Sequence, residues 1–177
     1  MNIEQALLGE HSKEWARAIS NHIGNNTQRF AVLAKIFFGD NKLLTQRAAW
    51  IMSECYDLNP DLFANLIPQL IKHLLKPNHE AVKRHTTRIL LTAPIPKKSH
   101  ALLIELCTKY LLDSAEAIAT KANALTILSN MCKLYPELKN ETLEIIKMME
   151  NNDLTPALLF RVKHAKKQLN KIKQDII

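Results

Sequence analysis

Apolar residues recur along this chain at helical spacing. Leu62, Phe63, Leu66, Ile67, Leu70, Ile71, Leu74 and Leu75 form one continuous stripe, the arrangement that gathers side chains on a single face of a helix. Pro68 lies within it, and because the apolar pattern continues unchanged on both sides, a kink rather than a break is expected there. Helix starts carry their own marks, since a Ser, Thr, Asp or Asn side chain accepts from the orphan N–H groups and a proline in the first turn loses nothing. Asn59-Pro60, Ser114 and Thr155-Pro156 fit that description, and Tyr135-Pro136 supplies the proline without the cap. The pattern predicts an N-terminal helical segment over 3–23. Helix pairs follow at 26–38 with 41–57, 60–76 with 79–93, 98–112 with 115–134, and 137–150 with 155–173. The short connections predict antiparallel neighbours.

The second helices of these pairs align as columns. A step of 38 residues relates Ile51, Ile89, Ile127 and Ala165; Ala48, Thr86, Ala124 and Val162; and Cys55, Ala93, Met131 and Leu169. Spaced i, i+3 and i+7, the three columns share one helical face. A doubled step of 76 also matches Ser53 to Ser129, Leu58 to Leu134, Pro60 to Pro136 and Leu62 to Leu138. Amphipathic similarity alone would not carry the prolines along. A period near 40 with two helices per unit marks HEAT or armadillo arrays, whose units bury their apolar faces by stacking on one another. Without a glycine-rich signal for a third helix, HEAT is the better match. The expected fold is all-α: an α-α superhelix (HEAT/ARM-like solenoid) of about four helix pairs plus the N-terminal segment, in a single domain over 1–177.

Composition supports this class. A chain of 177 residues can bury a sizeable core unaided, and three glycines are too few for a turn-rich β fold. Cys55, Cys107 and Cys132 each sit inside an apolar helical stretch, an odd set with no CxxC spacing. That usage suits a reducing cytoplasm, as does the lack of a leader-like start or a membrane-length apolar run, so a soluble cytoplasmic protein with no membrane partner is expected. The net charge of +7 is uneven: Arg161, Lys163, Lys166, Lys167, Lys171 and Lys173 against Asp175 leave +5 in residues 155–177 and +2 elsewhere. A basic last helix suits the negative end of a helix dipole and a solvated capping unit.

Catalytic signatures are missing. The sequence has no HExxH, glycine-rich phosphate loop or GxSxG elbow, so metal, nucleotide and acyl-transfer chemistry have no foothold and no cofactor is expected. His11, His22, His73, His79, His85, His100 and His164 follow no ligand spacing and read as surface or interface residues. Glu141 and Glu144 share a face with nothing to desolvate them, and read as a solvated flank.

The informative feature is the face of the second helices turned away from the core. With about 100° per residue, Trp50 falls about 150° from the Ala48, Ile51, Cys55 stripe, beside Arg47 and Glu54. The 38-residue step extends that face into columns: Arg47, His85, Asn123, Arg161; Trp50, Arg88, Thr126, His164; and Glu54, Thr92, Asn130, Gln168. Arginine, tryptophan and histidine combine large contact area with directional donors. Second helices usually line the concave side of a solenoid. The expected function is therefore a non-enzymatic interaction or scaffold module whose polar groove binds a protein or peptide partner. Its contact residues would be Arg47, Trp50, Glu54, His85, Arg88, Asn123, Asn130, Arg161 and His164. The competing expectation is that the columns are ladders between repeats, with Arg88 packed on Trp50 or with Trp50 covered by the helix carrying Trp15.

Two resemblances bear on this. The stretches TQRAAWIMS, EAVKRHTTRILL and AIATKANALTILSNMCKLYPE resemble a family of small bacterial HEAT-repeat proteins of unestablished function, over nearly the whole chain. Some members carry an adenylosuccinate lyase label, but those lyases are far longer and their serine- and methionine-containing signature loop has no counterpart here. Trp50, Glu54 and Arg88 are similar in spacing to the tryptophan, acid and next-repeat arginine of HEAT-like alkylpurine DNA glycosylases. That likeness implies nucleic-acid binding as the alternative function, with the acid stabilising a cationic sugar and the arginine holding phosphate. This chain departs from that pattern in having Glu for Asp, no second tryptophan in a later repeat, and a shorter array.

Overall fold

A computed structural model describes residues 1–151 and 154–172. All regular structure among them is helical, and Cα packing divides the chain into two compact units, Met1–Pro96 and Lys97–Ile177.

The first unit contains α1 (Ile3–Leu7), α2 (Lys13–Ile23), α3 (Thr27–Phe37), α4 (Lys42–Leu58), α5 (Ile67–His73) and α6 (Glu80–Leu90), with a 3-10 turn at Pro60–Phe63. The expected segment 3–23 is two helices, because Ser12 adopts extended backbone and caps α2 by accepting from the Trp15 N–H. Asn26 and Asn41 cap α3 and α4 in the same way. α2 stops at Gly24, whose φ of 48° lies in the left-handed region that favours glycine.

Pro68 does more than kink its helix. α5 begins at Ile67, so the stripe from Leu62 to Leu75 is split between the 3-10 turn and α5. Proline has no N–H to donate back to the preceding turn, and its ring is tolerated only in the first turn of a helix. The apolar residues nonetheless reach a common interior, with Phe63, Ile67, Leu70 and Ile71 all buried.

The second unit contains α7 (His100–Leu112), α8 (Ile118–Leu134), α9 (Lys139–Glu150) and α10 (Pro156–Leu169), with 3-10 turns at Lys97–Ser99 and Pro136–Leu138. Thr155 caps α10 as expected. Ser114 does not cap α8, which starts only at Ile118 with Ala117 at the cap position. The end of the segment expected over 155–173 lies partly outside the described residues.

The 76-residue relation holds at the level of backbone. α4 and α8 both span 17 residues, start and stop 76 apart, and are followed by a residue of nearly the same conformation. That residue is Asn59 (φ −146°, ψ 77°) in one unit and Tyr135 (φ −134°, ψ 78°) in the other. A proline-initiated 3-10 turn comes next in each. The equivalent serines Ser53 and Ser129 are both buried.

All twelve residues of the three apolar columns are buried. The second helices of each unit therefore face the interior with the side that the 38-residue step identifies. The three cysteines are buried as free thiols, and burial pushes Cys55 and Cys107 up to about 12, which leaves them protonated and unreactive at neutral pH.

Candidate functional site

The outward columns are built on α4 and α6 in the first unit and on α8 and α10 in the second. Arg47, on α4, reaches the N-terminal helices: its guanidinium donates to the carbonyls of Leu7 at 2.7 Å and Gly9 at 2.8 Å. These belong to the C-terminal end of α1, where helical carbonyls lack partners. Trp15 donates its indole N–H to Ala6 O at 2.6 Å and completes the closure of the same turn.

Trp50 is half-buried and surrounded. Its indole N–H donates to Glu54 Oε1 at 3.1 Å, the pairing expected of i, i+4 residues. Trp15 lies with its ring centroid 6.2 Å away, and His11 meets Trp50 edge-on at 4.9 Å. On α6, His85 lies nearly parallel to the indole, with 6.5 Å between centroids and 16° between planes. The residue stacked along Trp50 is thus the histidine, whereas Arg88 turns away to bond Ser53 Oγ and, at 2.5 Å, Asp57 Oδ2.

In this unit the columns act as a ladder between neighbouring second helices. Of the glycosylase-like trio, Trp50 and Glu54 are bonded to each other and Arg88 is directed to Ser53 and Asp57. A base stacking on the indole would have to displace His11, Trp15 or His85. Residue patterns missed His11, Ser53 and Asp57; the Ser53–Ser129 match at 76 was the one available signal for the serine.

The second unit repeats the ladder with different chemistry. Gln168 on α10 donates to Ser129 O at 3.1 Å and to Asn130 Oδ1 at 3.2 Å, and Lys133 donates to the same Asn130 oxygen. His164 and Arg161, about one and two turns earlier on α10, are exposed. Phe160 beside them is 67% exposed, and α10 carries no carboxylate. Asn123 is half-buried on α8. Of the expected contact residues, Trp50, Glu54 and His85 are brought into contact with one another, whereas Arg47, Arg88 and Asn130 are bonded to residues outside the expected set.

His85 has an unusual environment. Burial first, then the positive charges of Arg84, Arg88 and His11, hold its imidazole down at about 4, and its Nδ1 is buried without a hydrogen-bond partner. An unfolded chain takes up that proton near pH 6.5, whereas the folded one resists it until about pH 4. The unfolded state binds more protons within that window, so stability falls as pH drops through it. Allowing for solvent screening of a partly exposed ring, the loss between about pH 7 and about pH 4.5 should be about 1–2 kcal/mol. Urea midpoints at those two pH values measure it, and His85→Gln should reduce the difference between them.

No cluster of three or more His, Cys, Asp or Glu side chains suited to a metal occurs among the described residues. No helix among them is long and apolar enough to cross a membrane. Compared with known proteins, the chain matches the family model described as a HEAT repeat domain over residues 3–170. No curated protein and no solved structure matches it.

Proposed function

The chain belongs to the HEAT repeat domain family, and from that premise we propose that it is a non-enzymatic interaction module. HEAT repeats generally mediate protein interactions. The partner is a protein or peptide segment, taken up on the outward faces of the second helices. What carries the reading is the state of those faces: their polar side chains are fixed by one another before any ligand arrives. Trp50 is held by Glu54 and His85, Arg88 by Ser53 and Asp57, and Asn130 by Gln168. Side chains immobilised in advance lose little further entropy on binding. Arg88 keeps 44% of its side chain exposed, and Arg161 and His164 are exposed outright.

The test is comparative capture. Arg88→Ala, Arg161→Ala and His164→Ala, combined in one chain, should weaken a captured protein or peptide about tenfold or more while the thermal transition is retained. Equal capture by both chains would remove the proposed surface. A mobility shift with DNA or RNA that weakens steeply with salt would move the function to nucleic-acid binding.

A further inference from the structure

Positive charge without acidic partners gathers in the second unit, where the end of α8 meets α10. A shallow groove of about 560 Å³ is lined there by Lys133, His164, Lys167, Gln168, Lys171 and Ile172, with no carboxylate among them. Lys133 belongs to the last turn of α8, and Lys171 to the turn that follows α10. Gln168 ties the two helices by donating to Ser129 O and Asn130 Oδ1, and Lys133 donates to the same Asn130 oxygen, so the walls of the groove are fixed by the chain itself.

The cations of α10 divide into two sets. Lys166 pairs with Glu150 of α9 at 2.5 Å. His164, Lys167, Lys171 and, across the groove, Lys133 have no carboxylate partner among the described residues. The negative end of a helix favours cations, which accounts for Lys133 and Lys167 one at a time. It does not account for their convergence on one groove, where like charges repel one another until an anion arrives. Nor does it account for Phe160, which is 67% exposed and shares a face of α10 with His164 and Lys167 at i, i+4 and i+7. An exposed aromatic ring at the head of a cationic row combines the two features that interfaces with charged peptides use, an apolar anchor and a complementary charge.

We propose that this groove takes a short, extended, acidic segment of a protein partner, with an apolar side chain against Phe160 and carboxylates against His164, Lys167, Lys133 and Lys171. The inference rests on the protein-binding reading above and names the chemistry of the partner. The row from Phe160 to Lys171 rises about 16 Å, which about five residues of extended chain cover. A polynucleotide is served by a longer basic track with repeated aromatic platforms, whereas α10 supplies one phenyl ring.

The experiment measures fluorescence anisotropy with the full chain and three labelled probes: a peptide of one leucine followed by five glutamates, its counterpart with five glutamines, and a thymidine hexanucleotide. The glutamate peptide should bind with a Kd of about 100 μM or tighter at low salt, and the glutamine peptide about tenfold more weakly. Lys167→Gln/Lys171→Gln, both at exposed positions, should weaken the glutamate peptide about tenfold with an unchanged thermal transition, and Phe160→Ala should weaken it about threefold or more. The proposal is overturned if the two peptides bind alike, if the double variant binds like the parent, or if the hexanucleotide binds more tightly than the glutamate peptide. A captured protein lost by the Arg88/Arg161/His164 triple variant but kept by the double variant ends this inference and leaves the partner-binding face standing. The opposite pattern, a glutamate peptide lost by the double variant and a captured protein indifferent to the triple one, leaves the acidic groove and removes the broader face.

Discussion

Phe63→Ala is expected to destabilise the Met1–Pro96 unit by about 3–5 kcal/mol, the largest effect of any single substitution considered. Phe63 sits in the short 3-10 turn after α4 and is fully buried, with its ring 4.7 Å from that of Phe30 and 5.2 Å from that of Tyr56. Truncation removes the transfer free energy of an aromatic side chain and leaves a cavity that neighbouring rings held in defined rotamers fill only partly. The melting temperature should fall on the order of 10 °C. Urea unfolding followed by circular dichroism measures the cost, and hydrogen exchange should place it in residues 1–96. A loss under about 1 kcal/mol would mean that the turn is not part of the core.

Arg47→Ala should cost about 2–3 kcal/mol, because two charge-assisted hydrogen bonds to backbone disappear together and the end of α1 loses its external donor. The expected signature is local: faster amide exchange over Ile3–Leu7 with little change in α6. Arg47→Lys should recover part of the loss, since an ammonium can serve one carbonyl but lacks the planar fork that serves both. Arg88→Ala provides the contrast. Its ion pair with Asp57 is about half exposed on both sides and is worth under about 1 kcal/mol, so most of the cost, about 1 kcal/mol, should come from the buried Ser53 hydroxyl that loses its donor. The two arginines occupy similar outward faces, yet one fastens an earlier helix by its backbone and the other bridges two side chains of α4 with nearly half of its own surface left exposed.

That difference marks the limit of what the residue pattern could reveal. The buried columns were legible because apolar periodicity is a local property of each helix, and the 38-residue step repeated it where Ile51, Ile89 and Ile127 recur. The all-α repeat fold followed from those columns together with the 76-residue match. The role of Arg47 was not legible, because its acceptors lie about forty residues earlier in the chain and offer only backbone oxygens, which no side-chain pattern reports. Pro68 was misjudged for a related reason: apolar continuity records which residues meet in the interior, not whether one unbroken helix carries them there. His73 reads as a surface or interface residue in sequence, and it lies buried with Phe37 and Phe38 packed against it. The stacking of His85 on Trp50, in preference to a packed Arg88, was decided by competition from Ser53 and Asp57.

Trp15 and Trp50, the chain's two tryptophans, lie within 6.2 Å of each other inside Met1–Pro96. Residues 97–177 contribute only Tyr110 and Tyr135 to the chain's indole and phenol chromophores. Indole emission is therefore a built-in optical probe of one unit and blind to the other. Its disagreement with a far-ultraviolet signal that weighs all helices equally would show, without any label, the two parts of the molecule melting separately.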